Sequence, residues 1–149
     1  MSKKPRSYKP VSGFVLPRFA GIATFMRLPH VPLEDLAEVG DVDIGLIGVP
    51  WDGGTTNRAG ARHGPRQIRD LSTMVRNVHH VSGISPFTLA NCADLGDTPV
   101  NPIDLHESID KIESFYAEVH RAGVLPLSAG GDHLITLPIM RAIAKQRPV

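Results

Sequence analysis

The sequence holds a single cysteine, Cys92, in 149 residues. One thiol cannot close an internal disulfide and forms no cluster of metal-ligand spacing, which excludes a disulfide-stapled scaffold and makes the reducing cytoplasm the default compartment. An excess of one charge is also missing: 16 basic residues against 15 acidic leave a formal charge of +1. That is too little to argue for a nucleic-acid or anionic-membrane partner. No unbroken apolar run follows Met1-Ser2-Lys3-Lys4-Pro5-Arg6, and no later run approaches a membrane span, so neither export nor anchoring is expected. What is present, 42% hydrophobic and 21% charged residues, suits one globular domain or part of one. No repeat or low-complexity segment interrupts it.

Residues 1–40 carry prolines at 5, 10, 17, 29 and 32, each of which removes a backbone donor and disfavours helix in the residue before it. This stretch reads as an irregular arm. Phe14, Val15, Leu16, Phe19, Ile22, Phe25, Met26 and Leu28 are too many apolar groups for a disordered tail, so the arm is expected to pack on its own domain or on a neighbouring subunit.

Regular structure is expected from residue 41 onward. Val42-Asp43-Ile44-Gly45-Leu46-Ile47-Gly48-Val49, stopped by Pro50, suits a buried parallel strand. A Gly-rich connection over 50–63 leads to a helix opened by Gly64-Pro65, with Ile68, Leu71 and Val75 at helical spacing. Residues 87–93 read as a second strand and Asp94-Leu95-Gly96-Asp97-Thr98-Pro99 as the turn-rich loop after it, whose carboxylates would satisfy backbone donors rather than act in catalysis. The next helix has Asn101 as cap, Pro102 in its first turn, Asp104 at the positive end of the dipole, and an apolar stripe of Leu105, Ile109, Ile112, Tyr116 and Val119. Val124–Ser128 suggests a third strand, with Pro126 arguing for an edge position. A last helix would be capped by Thr136, carry Ile135, Ile139 and Ile143 on one face, and stop at Arg147-Pro148. Strands alternating with helices imply βαβ units and a parallel sheet.

In such a sheet, ligands collect where loops leave the carboxyl ends of the strands. Two segments fall there: 48–66 and Gly130-Gly131-Asp132-His133. In the second, Gly130 and Gly131 allow a sharp exit from the strand, after which an acid and an imidazole project from a rigid position. A neutral His133 held by an acceptor would be a good metal ligand. The same four residues equally describe a tight turn in which Asp132 caps a helix and His133 is merely buried. The glycines of 53–60 lack a Walker lysine-hydroxyl pair and the dinucleotide fingerprint, which leaves a structural or substrate-gating loop. Arg58, Arg62, Arg66, Arg69 and Arg76 could gather into an anion site or form a solvated face with ion pairs. His79-His80 reads as a surface pair, and Phe115 and Tyr116 as core or interface.

The run Gly130-Gly131-Asp132-His133-Leu134-Ile135-Thr136-Leu137-Pro138-Ile139 resembles the first metal-binding motif of the ureohydrolases, the arginase and agmatinase family. Gly48-Val49-Pro50 through Gly64-Pro65-Arg66, Asp94-Leu95-Gly96-Asp97, and Pro17-Arg18-Phe19-Ala20-Gly21-Ile22 are similar to the branch acting on agmatine, guanidinobutyrate or guanidinopropionate. Leu134 stands where many members have a small hydroxylated residue. The resemblance implies a three-layer αβα fold with a parallel sheet, of which this chain would hold the first half over 41–149. It further implies hydrolysis of a guanidino compound to urea and an amine at two Mn²⁺ ions bridged by hydroxide, and commonly a hexamer. Metal suits this chemistry, because a guanidinium is a poor electrophile and bound divalent metal makes a strong nucleophile at neutral pH.

By the same resemblance, His133 is a ligand to one metal, with Asp132, Gly130 and Gly131 as its support. If the complete enzyme takes a guanidino acid, Asn57 or Arg58 is the first candidate for contact with its carboxylate. The family's Asp-x-His-x-Asp and Asp-x-Asp motifs, which carry the other ligands, do not occur in these 149 residues, so the chain alone is expected to be inactive. Three readings stay open: part of an enzyme, a truncated non-catalytic paralogue, or a module that associates with a full-length homologue.

Overall fold

The computed structural model describes residues 7–145; the expected helix stop at Arg147-Pro148 lies outside them. β1 (Ile44–Val49) is the central strand, flanked by β2 (Cys92–Asp97) and β3 (Leu125–Gly130), all parallel in the order β2-β1-β3. Its nearly continuous apolar sequence is what a strand covered on both faces requires. Side chains alternate across the sheet, and this alternation divides the core. Ile47 and Val49 join Ala93 and Leu95 under Ile112, Phe115, Tyr116 and Val119 of α3 (Leu105–Arg121) and Ala142 of α4 (Thr136–Ala144). On the opposite face Leu46 and Cys92 meet Phe25, Leu28 and Phe87, with α2 (Gly64–Ser72) beside them. Helices therefore cover both faces of a parallel sheet, the expected αβα layering. Among the described residues no helix is long and apolar enough to cross a membrane.

The arm packs on its own chain: Tyr8 lies against the main core and its hydroxyl donates to the Gly40 carbonyl at 2.9 Å, Arg18 donates to the Met74 carbonyl at 3.2 Å, and Phe25 and Leu28 are buried. Pro29 accepts from the Asp94 amide at 3.0 Å and the Val31 amide donates to Asp94 at 2.9 Å, so His30 bridges the outer edge of β2 in parallel. A single helical turn, α1 (Leu36–Val39), buries Leu36 before the chain enters β1. Phe14, Val15, Phe19 and Ile22 remain exposed.

Several expectations need correction. The second strand runs over Cys92–Asp97, five residues later than the pattern suggests, so Asp94 and Asp97 lie in a strand and not in a loop. Pro86 opens a single 3₁₀ turn, Pro86–Thr88, in place of a strand start. Asp disfavours strands through its unmet charge, and tertiary pairing removes that objection here. Asn101 does not cap α3. Asp104 does, accepting from the Glu107 amide at 2.9 Å, while Asn101 turns the preceding loop by accepting from the Ile103 amide at 3.0 Å. Thr136 caps nothing by its side chain. The stripe Ile68, Leu71 and Val75 is exposed; α2 instead buries Pro65 and half-buries Arg69. Phe115 and Tyr116 are core, and the Tyr116 hydroxyl, pushed up to about 12 by burial, lies 2.5 Å from the Ser128 Oγ.

Arg69 holds the Phe25 side of the sheet together. Its Nε and Nη2 donate to the two Asp94 oxygens at 2.8 and 2.9 Å and its Nη1 donates to Asp97 at 2.6 Å. The guanidinium carbon sits 4.1 Å from the centre of the Phe25 ring. Asp94 also accepts the Phe25 amide and the Gly96 amide, each at 2.9 Å, so one buried carboxylate ties arm, helix and strand. Gly48 completes this junction: a Cβ there would collide with the Asp97 carboxylate and Pro65.

Removing one partner of a buried ion pair leaves an uncompensated charge. Arg69→Met is expected to lower unfolding free energy by about 3 kcal/mol in urea melts, with the slope unchanged. Arg69→Lys is expected to recover less than half of the loss, because an ammonium cannot fork across both carboxylates.

Candidate functional site

β1 and β3 pair in register up to Val49 opposite Gly130, so the two segments flagged at strand ends leave the sheet side by side. Gly131 then turns at φ +66°, and a Cβ on it would strike the carbonyls of Trp51 and Val49. Only glycine permits this approach. The peptide between Gly130 and Gly131 is cis. Past it, the Asp132 amide donates to the Trp51 carbonyl at 2.8 Å, which fixes the exit path of one loop on the other.

The two oxygens of Asp132 have separate partners. Oδ1 accepts the Leu134 amide at 3.0 Å and caps the 3₁₀ turn His133–Ile135 that leads into α4. Oδ2 accepts the Gly54 amide, from the loop after β1, at 2.6 Å. Asp132 thus has the capping role, yet His133 is exposed and not buried. The His133 Nδ1 lies 3.4 Å from the Thr136 Oγ1. An accessible imidazole on a doubly pinned turn fits the first of several metal ligands. Among the described residues no group of three or more His, Cys, Asp or Glu side chains could hold a metal, so these residues offer one donor and not a closed cage.

The loop after β1 is closed at its base by Asp52, which is buried. Its Oδ2 accepts the Gly60 amide at 2.7 Å and its Oδ1 accepts the Arg62 Nε at 2.6 Å and pairs with Arg62 Nη2 at 2.5 Å. The Arg62 guanidinium, aided by the Gly60 amide and opposed by burial, holds the Asp52 carboxyl well below the usual range, at about 2. Between these clamps Asn57 and Arg58 sit exposed near the tip. Of the five arginines considered as an anion site, Arg62 and Arg69 are engaged by carboxylates of this chain. Arg58, Arg66 and Arg76 are exposed. His79 and His80 form the expected surface pair, ring centres 5.4 Å apart. A groove of about 600 Å³ lined by Ala23, Arg66, Gln67, Arg69, Asp70 and Asp97 opens beside β2 and shares no residue with the His133 turn.

Asp52 and Gly54 escaped sequence reasoning, and Arg62, read there as an anion-site or ion-pair arginine, pairs with Asp52. One signal was available: an acid directly after a strand end, inside a Gly-rich loop, has unpaired amides to satisfy. Because the folded pKa of Asp52 is depressed, its stabilisation is full above about pH 4, the usual aspartate value, and is lost as pH falls through about 2. Trp51 is the single tryptophan, so its fluorescence reports on this loop. An acid titration is expected to show a transition near 2, and Arg62→Met to move it up toward about 4.

The arginase family profile matches residues 42–149. The guanidinopropionase of Pseudomonas aeruginosa is 60% identical over 141 residues, covering 95% of this chain and 43% of that protein. The guanidinobutyrase of the same organism is 48% identical over 139 residues, covering 93% and 43%. Among solved structures, the proclavaminate amidino hydrolase of Streptomyces clavuligerus superposes with a TM-score of 0.80 at 41% identity, over 89% of this chain and 42% of that one. The chain therefore spans less than half the length of these relatives. The αβα layering, the Gly-Gly-Asp-His turn and the matched profile agree on one conclusion: this chain belongs to the arginase family.

Proposed function

We propose that the chain carries the N-terminal half of a hydrolase that cleaves a linear guanidino compound, with guanidinopropionate or guanidinobutyrate ahead of agmatine, to urea and an amine. The observation that carries this reading is the junction of two loops at neighbouring strand ends. One presents His133, and the other presents Asn57 and Arg58 between two carboxylate clamps. The similarity to guanidinopropionase and guanidinobutyrase supports the substrate class.

In this reading the metal is Mn²⁺, held as a pair in the complete protein. His133 is one donor on one ion, and the metals supply a strong nucleophile at neutral pH by lowering the pKa of bound water. Imidazole and carboxylate donors suit Mn²⁺. The residues of this chain do the remaining work. Asp132 fixes the direction from which His133 approaches, and Gly131 brings its turn against the first loop. Arg58 meets the substrate carboxylate with a planar fork, and Asn57 adds a neutral hydrogen bond. The complete protein would act in the cytoplasm as a homo-oligomer, a hexamer by family resemblance; the exposed Phe14, Val15, Phe19 and Ile22 support association.

Two measurements test the proposal. In a protein extended through the missing ligand motifs, urea release from guanidinopropionate, guanidinobutyrate and agmatine is expected to require Mn²⁺, whereas the 149-residue chain alone is expected to release none. Urea from the short chain, or Mn²⁺-independent activity in the long one, would count against the reading. Arg58→Ala is expected to raise KM for the guanidino acids by roughly 10- to 100-fold, the worth of a charged hydrogen bond. It should leave agmatine unaffected, since agmatine has no carboxylate.

A further inference from the structure

We propose that Asp132 is a positioning residue that couples the loop after β1 to the His133 turn, so that the two loops move as one body. The significance of the coupling rests on the reading of His133 as a metal ligand; its existence does not.

The geometry is that of a carboxylate divided between two loops. Oδ1 takes the Leu134 amide at 3.0 Å inside the His133 turn, and Oδ2 takes the Gly54 amide at 2.6 Å across the gap. No rotation of the side chain can release one bond without disturbing the other. The contact is close as well as polar. A Cβ on Gly54 would lie 3.0 Å from Asp132 Oδ2 and 3.1 Å from Leu134 Cβ, so the first loop lies directly against the residue that follows His133. The Leu134 side chain forms the apolar wall against which Gly54 rests.

A third connection runs below the other two. The Asp132 amide donates to the Trp51 carbonyl at 2.8 Å, and the next residue, Asp52, anchors the far end of the loop through Gly60 at 2.7 Å. The segment 53–59 is thereby held at both ends, one end by Asp52 and the other by Asp132. Displacement of Asn57 or Arg58 by a bound carboxylate would reach His133 through Gly54 and Asp132. The side chain that aims the metal ligand also sets the height of the substrate loop.

Amide exchange and histidine resonances, read by NMR on the 149-residue chain without metal or substrate, test this. Asp132→Ala removes both acceptors, and exchange at Gly54 and Leu134 is expected to rise roughly tenfold at each. Asp132→Asn keeps one acceptor oxygen, so one of the two amides is expected to stay protected and the other to be lost. Gly54→Ala leaves Asp132 intact and pushes the first loop outward. Coupling predicts faster exchange at Leu134 and shifted imidazole resonances of His133, a signature that simple tethering of the first loop would not give. Unchanged amides in α3, such as Ile112 and Val119, identify a variant that has kept its fold. Should Gly54→Ala leave Leu134 exchange and the His133 resonances at their original values, or Asp132→Ala leave Gly54 protected, the coupling is overturned. Since neither readout needs catalysis, failure of the hydrolase reading would leave this result standing, and the reverse holds too.

Discussion

Parallel pairing of β1 with β3 in register, Val49 beside Gly130, is the constraint from which the site follows. Two strands that run the same way and stop at the same level must release their loops together, at the end where backbone amides lack ladder partners. Three aspartates answer that deficit. Asp52 and Asp132 collect amides from the loops, and Asp94 collects amides from the arm and from its own strand. Asp52 and Asp132 follow the carboxyl ends of β1 and β3 whereas Asp94 lies within β2, and in all three the charge serves the geometry of neighbouring chain.

The three differ in how the charge is met. Asp94 and Asp52 have arginine partners from the helix and loop that follow β1. Asp132 accepts from two backbone amides, and it stands beside the His133 imidazole. Under the metal role proposed for His133, a cation held there would lie near a carboxylate already oriented by two amides.

Much of this was legible in the sequence because the responsible signals are local. The apolar run 44–49 bounded by Pro50, Pro65 in the first turn of α2, and the stripe Ile109, Ile112, Tyr116 and Val119 each follow from short-range rules. The paired glycines before Asp132 marked a tight exit, and it is one. What was not legible depends on distant partners. Asp94 in mid-strand contradicts intrinsic preference, and distant partners make it tolerable: Arg69, 25 residues away, and the Phe25 amide, 69 residues away. The exposed stripe on α2 has the periodicity of a buried face, and period alone cannot say what covers it. Asp52 and Arg62 are unremarkable singly; ten residues apart, they become a clamp only after the loop folds back.

Pro126 has a meaning beyond its place in an outer strand. The Leu125 amide donates inward to Asp43 at 2.9 Å, and since successive residues of a strand direct their backbone groups to opposite sides, position 126 faces away from β1. The missing N–H therefore lies on the side of β3 turned away from β1, so the proline costs the pairing of β3 with β1 nothing.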